Sequence, residues 1–286
     1  MQRRGTFGGG VSPRGALLRG QSIIEYVLII AIIGLVIVFA GPGVAGAIRN
    51  QFNLVGNTVN SGTTGGVEGG GASAKVKAAM DAGTRFTMNL TNGKTLEYRI
   101  IGINHDDLAD ASAKAGLTFL TTSTGIKSRM NATDTNAGGW EKSDLRRKMN
   151  SGEIWNLMPS EFQSKVKSVR KLTNNVGGGD ENKNAAVTAT TDKLFLLSYS
   201  EIVSTPRSDW SEWPWIGQKG TQYEAFKGKV TNNDSSNSAM AIGGFWWERS
   251  VGPGISSAFL YVGSYGAPSI KGNAANSFCV CPAWCF

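Results

Sequence analysis

The strongest hydrophobic pattern in the chain is a single run. From Tyr26 to Ile48, 23 consecutive residues carry no charge, and most are Ile, Val, Leu, Ala or Gly. A helix of about 20 apolar residues crosses the hydrocarbon of a bilayer, so residues 21–55 predict a membrane-spanning helix. Gly41-Pro42-Gly43 would kink or weaken its second half. Residues 1–20 have no apolar periodicity and read as a leader. Residues 56–75, rich in Gly, Thr, Ser and Asn and almost uncharged, have the composition of a flexible spacer. The remainder, 76–286, is long enough for one well-buried domain.

Within that domain the pattern changes to short alternations. Phe86, Met88 and Leu90 alternate with polar residues, as do Leu96, Tyr98 and Ile100. Asn92-Gly93 between them predicts a hairpin with a type I′ turn. Leu117–Leu120 reads as a further strand, and Ser143 as the N-cap of a short helix. A second helix is expected after Pro159, capped by Ser160. It would bury Phe162, Val166 and Val169 and leave Ser164, Lys167, Ser168 and Lys171 solvated. Leu194–Leu197 suits a buried strand, with a helical turn from Ser200. Residues 204–240 are long and irregular, punctuated by Trp210, Trp213 and Trp215, with a turn of helix at Tyr223–Phe226. Strands return at Ile242–Arg249, Ser257–Val262 and Phe278–Trp284. Strands enclosing two helices and much loop predict an α+β fold.

Charge changes the picture at the N-terminus. The net charge is +8, but residues 1–20 hold Arg3, Arg4, Arg14 and Arg19 and no acid, so their removal lowers it to +4. Spread over a large domain, that is no phosphate-binding footprint, and no nucleic-acid partner is expected. The arginines instead hold the N-terminus in the cytoplasm by the positive-inside rule, so that the chain beyond the helix is exported. Glu25 stands at the mouth of the apolar run, where a carboxylate is costly unless paired. A small residue, Gly20, precedes the run. Cleavage after Gly20 would keep the helix and create an amine at Gln21, a partner for the carboxylate of a neighbouring subunit.

Gly20, followed by Glu25-Tyr26 at the fifth and sixth mature positions and then by the apolar run, resembles the prepilin signature of Flp-type (tight-adherence) pilins. The resemblance covers about residues 15–55, including Asn50-Gln51-Phe52 at the helix end. It implies processing by a prepilin peptidase at Gly20, Gln21, Glu25 and Tyr26. It also implies assembly with other pilin subunits through the helix, which sits in the cytoplasmic membrane before reaching the pilus or bacterial surface. A plain single-pass anchor is the alternative. Flp pilins are usually little more than this helix, so the large appended domain points to a minor, cargo-bearing or tip subunit.

A second, ordered set of residues resembles a bacterial domain family of C-type-lectin-like fold. It comprises Tyr98–Ile103, Gly139-Trp140 with Leu145-Arg146 and Asn150, Lys193–Ser198, Trp246-Trp247 with Arg249-Ser250, and the closing Val280-Cys281-Pro282-Ala283-Trp284. Cys281 departs from the arginine usual there. Such domains also occur as variable proteins of diversity-generating retroelements, in which the last gene segment is rewritten. The Glu-Pro-Asn, Gln-Pro-Asp and Trp-Asn-Asp motifs of calcium-dependent sugar binding are missing, and neither metal nor cofactor is expected.

The candidate chemistry is modest. His105 beside Asp106 and Asp107 reads as a polar turn. Cys279, Cys281 and Cys285 read as buried thiols with at most one bridge. A membrane-anchored surface enzyme using those cysteines, by likeness to sulfatase-activating enzymes, is the alternative function. Trp210, Trp213 and Trp215 suit either stacking on a ligand or packing on the core.

Gly252–Ser277 is more informative. Of its 26 residues, five are Gly, five Ser, two Tyr and two Asn, and Lys271 is the only charge. That is the vocabulary of antibody paratopes. Strand alternation assigns Trp246, Leu260, Val280 and Pro282 to the framework. The expected contact set is Trp247, Tyr261, Ser264, Tyr265, Lys271, Asn273 and Asn276, facing a protein or glycan on another cell or phage.

Overall fold

A computed structural model describes residues 69–230 and 237–286. The predicted span and the processing residues Gly20, Gln21, Glu25 and Tyr26 lie outside them. Among the described residues no helix is long and apolar enough to cross a membrane. The last residues of the expected spacer begin helix α1 (Gly69–Asp81), which buries Met80 against the domain.

The fold is α+β and mostly sheet. Its strands are β1 (Arg85–Asn89), β2 (Thr95–Ile103), β3 (Leu117–Thr121), β4 (Lys127–Ser128), β5 (Val169–Asn174), β6 (Val187–Asp192), β7 (Trp246–Val251), β8 (Ala258–Val262), β9 (Ile270–Asn273), β10 (Phe278–Cys279) and β11 (Ala283–Cys285). One sheet has the order β1-β2-β3-β11, a second β4-β10-β7-β8-β9, and β5-β6 form a separate ribbon. Short helices α2 (Asp144–Asn150), α3 (Glu153–Leu157), α4 (Ser160–Lys165) and α5 (Tyr199–Ile202) lie between them.

The hairpin forms as the alternation predicts, with Phe86 opposite Tyr98 and Met88 opposite Leu96. Its turn differs. Gly93 is left-handed (φ 79°) but Asn92 is not, and the bonds Gly93 N–H to Leu90 O and Leu90 N–H to Lys94 O close a three-residue loop. This is a type I turn followed by a glycine bulge, because type I′ needs positive φ at both central residues.

Ser143 caps α2 as expected, accepting from the Arg146 amide at 3.1 Å. The resemblance motifs tie this helix to β6. Trp140 Nε1 donates to Asp192 Oδ2 at 3.1 Å and Arg146 Nε to Asp192 Oδ1 at 2.6 Å. Asn150 Oδ1 accepts from the Lys193 amide at 2.8 Å while its Nδ2 donates to Leu194 O at 2.8 Å.

The helix expected after Pro159 is shorter than its apolar spacing suggests. Pro159, not Ser160, is its N-cap, and it ends at Lys165, with Val166 extended. From Val169 the period becomes two, and Val169, Lys171 and Thr173 point inwards. Lys171, expected in solvent, is therefore buried. Leu194–Leu197 is buried as expected but is not a strand of either sheet; Phe195 makes a single bridge to Ala283.

The C-terminal segment joins the layers. β10 belongs to the five-stranded sheet and β11 to the four-stranded one, three residues on. β11 pairs with β3 on one side, while Lys167 and Phe195 bridge to its backbone. Trp284 stacks on Phe119 (5.8 Å between ring centroids) and meets Tyr98 and Phe162 edge-on at 5.0 and 5.3 Å. This cluster is the centre of the core.

Candidate binding surface

Backbone pairing decides which side chains of the five-stranded sheet share a face. Trp247 lies opposite Tyr261, and Tyr261 opposite Ile270. Directly opposed residues point to the same side, so Trp247, Tyr261 and Ile270 share one face. Leu260 lies opposite Lys271, and Ala258 opposite Asn273, on the other. The expected contact set is thus divided between two faces.

On the first face four aromatic rings form a contiguous group. Phe278 lies 4.5 Å from Trp247 and 4.6 Å from Tyr261, and Phe245 lies 5.4 Å from Tyr261 and 5.6 Å from Phe278. Trp247 is fully buried, its Nε1 donating to Ser128 O at 2.9 Å. Its assignment to the contact surface is corrected: β7 is covered on both sides, so Trp246 and Trp247 are both core. Tyr261 and Phe278 are half-buried, and Phe245 is 45 % exposed. Burial pushes the Tyr261 phenol above its ordinary value, so it stays a neutral donor. Gly272 makes room for the group. A Cβ there would stand 2.8 Å from both Phe278 Cε2 and Tyr261 Cδ1.

Beyond these rings the β8–β9 loop carries Ser264, half-buried, and Tyr265, 76 % exposed. Gly266, at φ +89°, turns the loop, and a Cβ there would collide with Asn237 O at 2.0 Å. Asn276 is exposed in the turn between β9 and β10. Phe245 lies just before β7 and Phe278 opens β10; both fall inside the expected strands Ile242–Arg249 and Phe278–Trp284, but alternation alone does not show that they meet Tyr261. An aromatic at either end of a Trp or Cys strand is the signal that could have found them.

Lys271, on the second face, lines a groove of about 370 Å³ together with Arg207, Asp209, Trp210, Ala267, Ser269 and Ile270. Lys271 Nζ lies 5.9 Å from the Trp210 ring and Arg207 5.2 Å from it. Arg207 also makes a two-pronged pair with Asp209, both bonds 2.9 Å. Asn273 is exposed beside Asp134, its Nδ2 3.4 Å from Oδ2. Trp210 and Trp215 are buried and Trp213 partly so. The tryptophans of the long loop therefore pack on the core.

The remaining candidates for chemistry gather around a buried charged network beneath β5. Lys171 Nζ lies 2.5 Å from Asp106 Oδ1 and 2.5 Å from Glu201 Oε1. Arg249 grips both oxygens of Glu201 at 2.5 and 2.9 Å. Thr118 and Tyr223 hydroxyls donate to Asp106 at 2.5 and 2.9 Å. Burial alone would raise the Asp106 carboxyl, but Lys171 and the Thr118 hydroxyl hold it well below the carboxylate range. Cys285 Sγ lies 3.5 Å from Asp106. All three cysteines are buried free thiols, each pushed up chiefly by burial, which favours the protonated, unreactive form. His105 stacks on Tyr223 at 4.1 Å and meets Glu224 at 3.2 Å. Among the described residues no group of three or more His, Cys, Asp or Glu could hold a metal ion.

Neither a curated protein nor a solved structure matches the chain. The family model described as "Domain of unknown function (DUF6273)" matches residues 115–286, β3 through β11 and the whole aromatic face, and the chain belongs to that family.

Proposed function

We propose that the chain is a pilus-displayed binding protein, a minor pilin whose C-type-lectin-like domain presents the aromatic face of the five-stranded sheet to a protein or glycan outside the cell. The observation that carries this reading is the contiguity of Phe245, Tyr261 and Phe278 on one sheet face, with Tyr265 exposed in the loop that follows β8. Rigid rings flanked by small polar residues supply contact area at little entropic cost, and an exposed apolar group of this kind marks an interaction surface. The α+β architecture with short helices and long loops supports the lectin-like resemblance. The prepilin signature at Gly20, Gln21, Glu25 and Tyr26 supports export and filament assembly, with the cytoplasmic membrane as an intermediate station.

Two experiments test the reading. N-terminal sequencing of surface protein should begin at Gln21, and a Glu25→Ala chain should remain membrane-bound yet stay out of filaments. A start at Met1, or normal incorporation of the variant, would overturn the pilin half. For the binding half, cells displaying the full chain are compared with cells displaying Phe245→Ala or Tyr265→Ala on a glycan array and on host-cell monolayers. Adhesion should fall with either substitution while surface display is kept. Unchanged adhesion by both would remove this face.

A further inference from the structure

Arg85 and Arg99 are direct partners across β1 and β2, and like charges in that relation repel. Arg85 is exposed and relieved by Glu97 at 2.8 Å. Arg99 is half-buried, no carboxylate among the described residues pairs with it, and among them its side chain donates a hydrogen bond from Nη2 to Ala239 O. Its guanidinium lies 5.4 Å from the Phe226 ring, and its Nε has no hydrogen-bond partner among the described residues. A charge drawn partly out of water without a counter-ion costs free energy that a bound anion would offset.

Beside Arg99 is a cavity of about 200 Å³ between the end of α1, strands β2 and β3, and the 238–242 segment. Arg85, Arg99, Thr122 and Met240 line it. Thr122 is 8 % exposed, and its Oγ1 is a second buried polar atom with no hydrogen-bond partner. Buried polar groups almost always find partners. Two such groups line one cavity: the guanidinium favours a negatively charged acceptor, and the hydroxyl can donate to the same group. A cavity of about 10–15 Å³ already holds one water, so there is room here for an oxyanion with its own solvent.

We propose that this cavity is a binding site for a small oxyanion, a carboxylate, sulfate or phosphate group. Arg99 would supply the charge, Thr122 a hydroxyl donor, and Arg85 a second positive charge at the mouth. Planar guanidinium and oxyanion match in geometry as well as in charge. The site lies apart from the aromatic face and does not depend on it.

The test uses the full chain at constant ionic strength, with chloride replaced stepwise by sodium acetate, sulfate or phosphate, and thermal unfolding and titration calorimetry as readouts. At least one anion should bind saturably and raise the unfolding midpoint; which of them does so distinguishes a carboxylate from a tetrahedral group. Arg99→Gln should weaken that binding about tenfold or more, the loss of a charge-assisted bond. Thr122→Val, which keeps the side-chain volume, should weaken it less. Midpoints that stay the same in every salt, with no saturable heat of binding, would overturn the proposal. So would unaltered affinity in a folded Arg99→Gln chain or, should that variant not fold, in Thr122→Val.

Discussion

The ammonium of Lys171 stands 2.5 Å from Asp106 and 2.5 Å from Glu201, in a site whose three members are at most 4 % exposed. Arg249 completes the set by its two bonds to Glu201 and by further bonds to the Leu196 and Lys219 carbonyls at 2.6 and 2.9 Å. The network ties β5, the turn after β2, α5 and β7 to one another. Removing Lys171 leaves Asp106 charged and without its ammonium, while Glu201 keeps only Arg249. Lys171→Met should therefore destabilise the domain by about 3–5 kcal/mol. Urea unfolding measures it, and a loss under about 1 kcal/mol would show that the network is not what holds these elements together. The double variant Lys171→Met/Asp106→Asn should lose less than the sum of the two single ones.

Acid should act through the carboxylates. Burial raises Glu224, but the hydrogen bond from His105 and a backbone amide outweigh it, bringing the group from 4.5 to about 2. A depressed carboxyl lends stability that is complete above its unfolded value and is lost as pH falls towards the folded one. Asp106 and Glu201, also depressed, act in the same sense. Stability should thus decline from about pH 4.5 downwards, and Glu224→Gln should make that decline shallower. An identical acid limb in the variant would argue against the His105 contact.

Stability and binding should separate on the aromatic face. Trp247→Ala and Trp284→Ala each empty a fully packed site and should cost about 3–5 kcal/mol. Tyr265→Ala touches little that is buried and should change stability by no more than about 0.5 kcal/mol, yet weaken ligand binding by about 2 kcal/mol if the ring is an anchor. Circular dichroism melts and adhesion counts on the same variants check both halves. Tyr265→Ala chains that melt early would place the ring in the core.

The thiols should be inert while the domain is folded. Burial raises Cys279, Cys281 and Cys285 above the ordinary thiol value. An aromatic disulfide reagent at pH 8 should therefore label them only as fast as the chain opens, and at once in denaturant. Rapid labelling of the native chain would revive the cysteine-based enzyme as a reading of the function.

Local chemistry made part of this protein legible from its residues. Alternation marked both strands of the hairpin from Arg85 to Ile103, because one covered face imposes a period of two whatever lies against it. Ser143 announced its helix because a cap is a contact within four residues. The apolar run at Tyr26–Ile48 and the glycine before it are likewise properties of adjacent residues. What depends on distant partners was not legible. Lys171 has the composition of a solvated position, and only Asp106 and Glu201, 65 residues before it and 30 after it in the chain, make its burial tolerable. The division of Tyr261 from Lys271 and Asn273 rests on the pairing of β8 with β9. Alternation separates the two faces of a strand but is silent on whether one of them or both are covered. Trp246 and Trp247 are both buried because other elements close over β7 from either side, and that is decided by the tertiary structure alone.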